Sequence, residues 1–173
     1  MPLGILVELV NGWGVEPRRA GARSDVPALG EYIHQAGVPA EVAEALTDTE
    51  LIRFADTIFG VFASAETADR VAAVSGLLTG VDVRPDLAVV DGEVRPVWWV
   101  DTQDPHDTLL AAALLALRMQ LCTEDPGRLG VCVDGGCADI YIDGSPAGRR
   151  RFCSVTCQNR ARAAKYRRTR RTA

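Results

Sequence analysis

Four cysteines stand at Cys132-x4-Cys137-x15-Cys153-x3-Cys157, and no other feature of the chain restricts its fold as much. Each short pair can grip one edge of a tetrahedral metal, and the residues between the pairs suffice for a turn that brings the second pair back. Ile140-Tyr141-Ile142 and Arg150-Arg151-Phe152 flank the turn-rich Asp143-Gly144-Ser145-Pro146, which predicts a β-hairpin between the pairs. From Ser154 onward the sequence reads as a helix. Cys153 and Cys157 would share one face at its N-terminus, where the dipole and free N–H groups favour thiolates. Four thiolates fill the sphere of one structural Zn2+ and leave no position for a hydrolytic water. A segment this short buries little apolar surface, so ligation would supply folding free energy on the order of 10 kcal/mol. Cys122 lies outside both pairs, at the end of an apolar run, and reads as a core thiol.

Charge divides at the same place. All 23 acidic residues lie between Glu8 and Asp143 with nine of the 19 basic ones, whereas Gly144–Ala173 holds ten basic residues and no acid. The net charge of −4 and pI of about 5.2 average over these halves, and polyanion binding depends on where charge sits. Arg149, Arg150 and Arg151 precede Cys153; Arg160, Arg162, Lys165, Arg167, Arg168, Arg170 and Arg171 follow Cys157. At helical spacing Arg160, Arg167 and Arg171 share one side, with Arg162 and Lys165 on the other. Such a helix repels itself unless phosphates flank it, as in the major groove of double-stranded DNA. Arg149–Arg151, Arg160, Arg162, Lys165, Arg167 and Arg168 are therefore the candidate DNA contacts. RNA competes less well, because the module's aromatics (Tyr141, Phe152, Tyr166) form no stacking series.

The preceding 125 residues predict helices with one hairpin. Pro2–Val10 is apolar enough for a buried helix or strand, and Glu16–Val26 reads as a loop. Short helices are expected near Pro27, capped by Ser24 or Asp25, and over Ala40–Leu46. Thr47-x-x-Glu50 is a capping box before Leu51, Ala55, Ile58 and Phe62 at helical spacing. A helix over Thr67–Leu78 follows, with Val71, Val74 and Leu78 inward and Gly80 as its stop. Leu87–Val90 and Val94–Val100 flank Asp91-Gly92, a type I′ hairpin signal, with Pro96 marking an edge strand and Trp98-Trp99 expected in the core. Asp104-Pro105 opens an apolar helix over Asp107–Leu121. The expected fold is α+β: a mainly helical domain at 1–125 with one β-hairpin, then a treble-clef-like four-cysteine zinc finger at 126–173.

The cysteine segment resembles the CGNR zinc-finger proteins. The resemblance rests on Cys132-x4-Cys137, Tyr141, Asp143, Ser145, Arg150-Arg151-Phe152-Cys153-Ser154 and Cys157-Gln158-Asn159-Arg160. Gln158 stands where the family tetrad has glycine, and Phe152 where tryptophan is common. The earlier part is similar to the alanine-rich ABATE domain that precedes this finger, through Val7–Asn11 and the order of hairpin and long helix. The resemblance implies a bacterial stress-related transcription regulator with a sensor or interaction domain.

His34 and His106 are isolated and read as surface or capping residues. No phosphate loop, nucleophile elbow or paired-histidine motif occurs, so no enzyme is expected. Asn11 and Arg53 are polar beside apolar runs and could converge on a pocket for a small-molecule effector. Without an 18-residue apolar run or a basic leader, the chain is expected to be cytoplasmic and off the membrane. The acidic half could receive the basic helix of another copy, which suggests a homodimer. The competing reading is a small-molecule- or protein-binding module whose finger is a structural or dimerisation element.

Overall fold

The computed structural model describes residues 1–20, 32, 35, 38–102 and 104–171. The helix expected near Pro27, most of the Glu16–Val26 loop, and His34 lie outside them. α1 (Leu3–Trp13) settles the ambiguous first segment as a helix, with Leu6, Leu9, Val10 and Trp13 buried along one stripe. Val15–Arg19 forms a short α2 rather than a loop, because Pro17 suits a first turn and buries its ring. α3 spans Ala40–Ala45.

α4 (Asp48–Ala63) starts at the capping box: the Glu50 N–H donates to Thr47 Oγ1 at 3.3 Å and the Thr47 N–H to Glu50 Oε2 at 2.7 Å. Leu51, Ala55, Ile58 and Phe62 are buried as expected, joined by Phe54 and Val61. α5 (Thr67–Gly80) departs from expectation. Val74 is buried but Val71 faces out, and the inward position is taken by Arg70. Its guanidinium donates to the carbonyls of Val61, Phe62 and Ser64 at the end of α4, and to that of Pro126 at 2.6 Å. A cation thus satisfies helix-terminal acceptors that would otherwise be buried without donors. Burial holds its pKa below the usual arginine range.

β1 (Val83–Val90) and β2 (Glu93–Val100) pair antiparallel with Val90 opposite Glu93. The turn has positive φ at both central residues, 54° at Asp91 and 81° at Gly92, as a type I′ turn requires. Trp98 and Trp99 do not enter the core: they are 43% and 62% exposed, because only the root of the ribbon reaches the helices. Trp98 lies instead beneath the Arg118 guanidinium, 5.7 Å from its ring centre.

α6 (Pro105–Thr123) begins two residues earlier than expected. Asp104 caps it, accepting from the His106 N–H at 2.9 Å. His106 is buried, not on the surface; its Nδ1 meets Asp107 Oδ1 at 3.0 Å and its Nε2 has no partner. Cys122 is exposed, since the last turn of α6 runs past the core. No described helix is long and apolar enough to cross a membrane.

β3 (Leu129–Val131) pairs antiparallel with β4 (Ile140–Ile142), and α7 (Val155–Arg171) closes the described chain. The expected strand at Arg150–Phe152 is absent; β4 takes β3 as its neighbour instead. Leu129 and Ile140 belong to the same core as α1, α4 and α6, so a single apolar cluster runs across residue 125. The architecture is mainly helical with two small hairpins.

Candidate metal centre and basic helix

Cys132 follows β3 and Cys137 ends the next turn, which the Cys137 N–H closes by donating to the Asp134 carbonyl at 3.0 Å. The Cys132 N–H donates to the Asp139 carbonyl at 2.9 Å, so the loop folds back beside its own start. Ser154 caps α7, accepting from the Cys157 N–H at 3.2 Å. This puts Cys157 in the first turn and Cys153 just ahead of the cap, outside the helix.

The four sulfurs lie within 4.8 Å of one another. Cys153 Sγ is 3.6 Å from both Cys137 Sγ and Cys157 Sγ. Zn–S bonds of about 2.3 Å arranged tetrahedrally put sulfurs about 3.8 Å apart, whereas a disulfide requires about 2 Å. The donor set and spacing therefore fit zinc, and the four cysteines form its site. Without a cation among them, burial pushes the Cys137 thiol up to about 12. Burial, with sulfur neighbours, also raises Cys153 far above the ordinary thiol range. At Cys157, burial acts upward but is outweighed by hydrogen bonding with Ser154 and the other sulfurs, so its pKa falls. A divalent cation turns this crowd of thiols into thiolates.

Three acids support the cage. Asp134 is buried and takes the Arg160 guanidinium, which also reaches Cys157 Sγ at 3.4 Å and the Gly136 carbonyl at 3.4 Å. The Asp134 carboxylate raises the Arg160 pKa. A fixed positive charge thus rests beside the Cys157 sulfur, where ligation leaves excess negative charge. Asp139 is buried, with Oδ2 3.6 Å from Cys153 Sγ. Asp143 organises the stretch where a hairpin was expected. Its carboxylate accepts from the Ser145 N–H at 2.8 Å and the Arg150 N–H at 2.7 Å, and hydrogen bonding from the Ser145 side chain first, then from the Arg150 backbone, lowers its pKa. Side-chain acceptors replace the ladder, so residues 143–152 close without strands.

Tyr141 adds a second clasp, its hydroxyl donating to the Arg150 carbonyl at 2.7 Å. Its ring lies across Gly130 on the paired strand. A Cβ there would sit 2.6 Å from the Tyr141 hydroxyl oxygen. The Arg150 guanidinium stacks over that ring, 5.3 Å from its centre, and donates to the carbonyls of Phe152 and Cys153.

The candidate DNA residues therefore fall into two groups. Arg150 and Arg160 are exposed but commit their guanidinium groups to the cage, through the carbonyls of Phe152 and Cys153 and through Asp134 and Cys157. Arg149, Arg151, Arg162, Lys165, Arg167 and Arg168 are exposed. Arg149 and Arg151 border a cleft with Ser154, Val155 and Gln158 near the start of α7. Arg167 and Arg168 rim another between Gly135–Gly136 and the half-buried Ala161 and Ala164.

Asn11 and Arg53 do not converge. Arg53 is exposed and lies 3.9 Å from Asp104 Oδ2. Asn11 is buried and bonds both ways with the zinc-bearing hairpin: its Nδ2 donates to the Ile140 carbonyl at 3.1 Å, and its Oδ1 accepts from the Ile140 N–H at 2.8 Å. It also borders a cleft of about 760 Å3 between α1 and the finger, lined by Val7, Tyr141, Thr156 and Arg160 among others. Sequence reasoning missed Asp134, Asp139 and Arg70. The first two had a visible signal, being acids set among the cysteines just before a stretch with no acid at all.

No curated protein matches the chain. Residues 128–170, which hold all four ligands, the acids that support them and nearly all of α7, match the family model of the CGNR zinc finger.

Proposed function

We propose that this chain is a transcription regulator that binds double-stranded DNA through α7 and the arginines before Cys153, with the helical part as a sensor or interaction domain. The supporting observation is that the metal cage fixes the start of a helix whose exposed side chains include Arg162, Lys165 and Arg167, with no acid among residues 144–173. Cations held at fixed spacing release counterions from a phosphate backbone, which gives affinity at small ordering cost. The similarity of the helical part to the ABATE domain, and hence a bacterial, stress-related role in the cytoplasm, belongs to the same reading. No catalytic set is assigned to it. Zinc serves as the structural core of the DNA-reading module.

The test is duplex binding by the full zinc-loaded chain across a salt series. About six phosphate contacts give a log–log slope near −5. Replacing Arg162, Lys165 and Arg167 together by alanine flattens that slope to about −2 or −3 while zinc content stays at one per chain. Binding that ignores salt, or that survives the triple substitution, overturns the proposal. The alternative, a module in which the finger serves only structure, is favoured if the chain binds no duplex yet retains zinc.

A further inference from the structure

The helix α7 meets the finger along one side. Cys157 is buried, Ala161 and Ala164 are half-buried, and at about 3.6 residues per turn these three share a face. Opposite them, at one residue per turn, stand Val155, Asn159, Arg162 and Tyr166, all exposed. Val155 is 71% and Tyr166 62% exposed. Arg167 lies on one flank of this ridge and Lys165 on the other. A solvated helix face normally carries charge. Here three of the four side chains are uncharged, in a segment with ten basic residues and no acid. Asn159 is the hardest of them to explain from within the chain. Asparagine disfavours a helix interior, and its amide hydrogen-bonds to no described residue.

We propose that this ridge reads base edges in the major groove of double-stranded DNA, with Asn159 selecting an adenine and Arg162 a guanine, so that binding is sequence-specific. The inference rests on the DNA-binding reading above and adds to it the face that enters the groove. With the ridge pointed at the groove floor, Lys165 and Arg167 face the phosphates of opposite walls. A helix about 10–12 Å across fits a major groove about 12 Å wide, whereas the deep, narrow major groove of duplex RNA does not admit one. The side chains of the ridge match what the floor offers. An asparagine amide pairs with N6 and N7 of adenine, and a guanidinium with O6 and N7 of guanine. Apolar surface, here Val155 and the Tyr166 ring, suits a thymine methyl. The Arg170 guanidinium, 5.6 Å from the Tyr166 ring centre, steadies that ring. From Val155 to Tyr166 the helix advances roughly 17 Å, about five base-pair steps. Asn159 and Arg162 are about 4.5 Å apart along the axis, so their bases fall within about two base pairs of each other.

Selection of duplexes from a randomised pool by the full zinc-loaded chain is expected to recover sites that share a guanine and an adenine within about two base pairs. Asn159→Ala is expected to lose the adenine preference and Arg162→Ala the guanine preference. Each lowers affinity for the selected duplex about 5- to 150-fold. Zinc stays at one per chain in both variants, which reports an intact finger. Because Asn159 is uncharged, Asn159→Ala leaves the salt slope and the affinity for random duplex unchanged, a result that loss of a phosphate contact would not give. Duplex binding without sequence preference, or a preference that survives either substitution, overturns this inference and leaves the DNA-binding reading standing. Binding of no duplex, or of folded RNA in preference to DNA, overturns both.

Discussion

Arg160 and Arg162 stand one residue apart and serve different ends. Both are exposed, but Arg160 is anchored on Asp134 and the Cys157 sulfur. Groups that orient metal ligands are typically worth ten- to a hundredfold in metal affinity. Arg160→Ala is accordingly expected to lower zinc affinity by about tenfold or more in chelator competition. Arg162→Ala is expected to leave zinc untouched and weaken duplex binding alone. Equal zinc affinity in both variants would show that the Arg160 contact is incidental. The sequence could not separate the two, since helical spacing reveals which residues share a face but not which face meets a buried acid. Only Asp134, 26 positions earlier in the chain, decides it.

Elements whose cause is local were legible from their residues. The Thr47–Glu50 box and the Asp91-Gly92 turn both formed where the sequence placed them. Elements that depend on distant partners were not. Ile140–Ile142 was expected to pair forward with Arg150–Phe152 and pairs backward with Leu129–Val131, because the Asp143 carboxylate closes the intervening loop by itself. Val71 and Arg70 exchanged roles because the end of α4 needs donors. The capping box makes a testable case at this scale. Bonds from Thr47 hold the Glu50 carboxyl below its usual pKa. The bonus is therefore full above the unfolded carboxylate pKa of about 4.3 and disappears as pH falls through the lower folded value. In denaturant unfolding, wild type should exceed Glu50→Gln in stability at neutral pH, with the gap closing below about pH 4. A gap that persists in acid would assign the benefit to helix propensity instead.

At the scale of the whole molecule, the finger and the helices share one apolar core. Leu129 and Ile140 complete the core that α1, α4 and α6 begin. Truncation after residue 125 strips both from it, at roughly 1.5–3 kcal/mol for each side chain. Of a total stability of about 5–15 kcal/mol, such a loss leaves the helical part marginal. The fragment is expected to unfold at much lower urea than the intact chain, which itself unfolds in one transition; equal midpoints would refute the shared core. The division the sequence suggested near residue 125 reflects a change of chemistry, from acidic and helical to basic and cysteine-rich, across a core that stays continuous.

The Asn11 amide carries this further. One side chain satisfies both the donor and the acceptor of Ile140, and the next residues of that strand present different faces. The first helix therefore cannot creep along the hairpin by small steps: any slip forfeits both bonds together, with no intermediate seat to rest in. Whatever displaces α1 must either carry the metal cage along as a rigid passenger or uncouple from it in a single event, so the joint behaves as a latch rather than a spring.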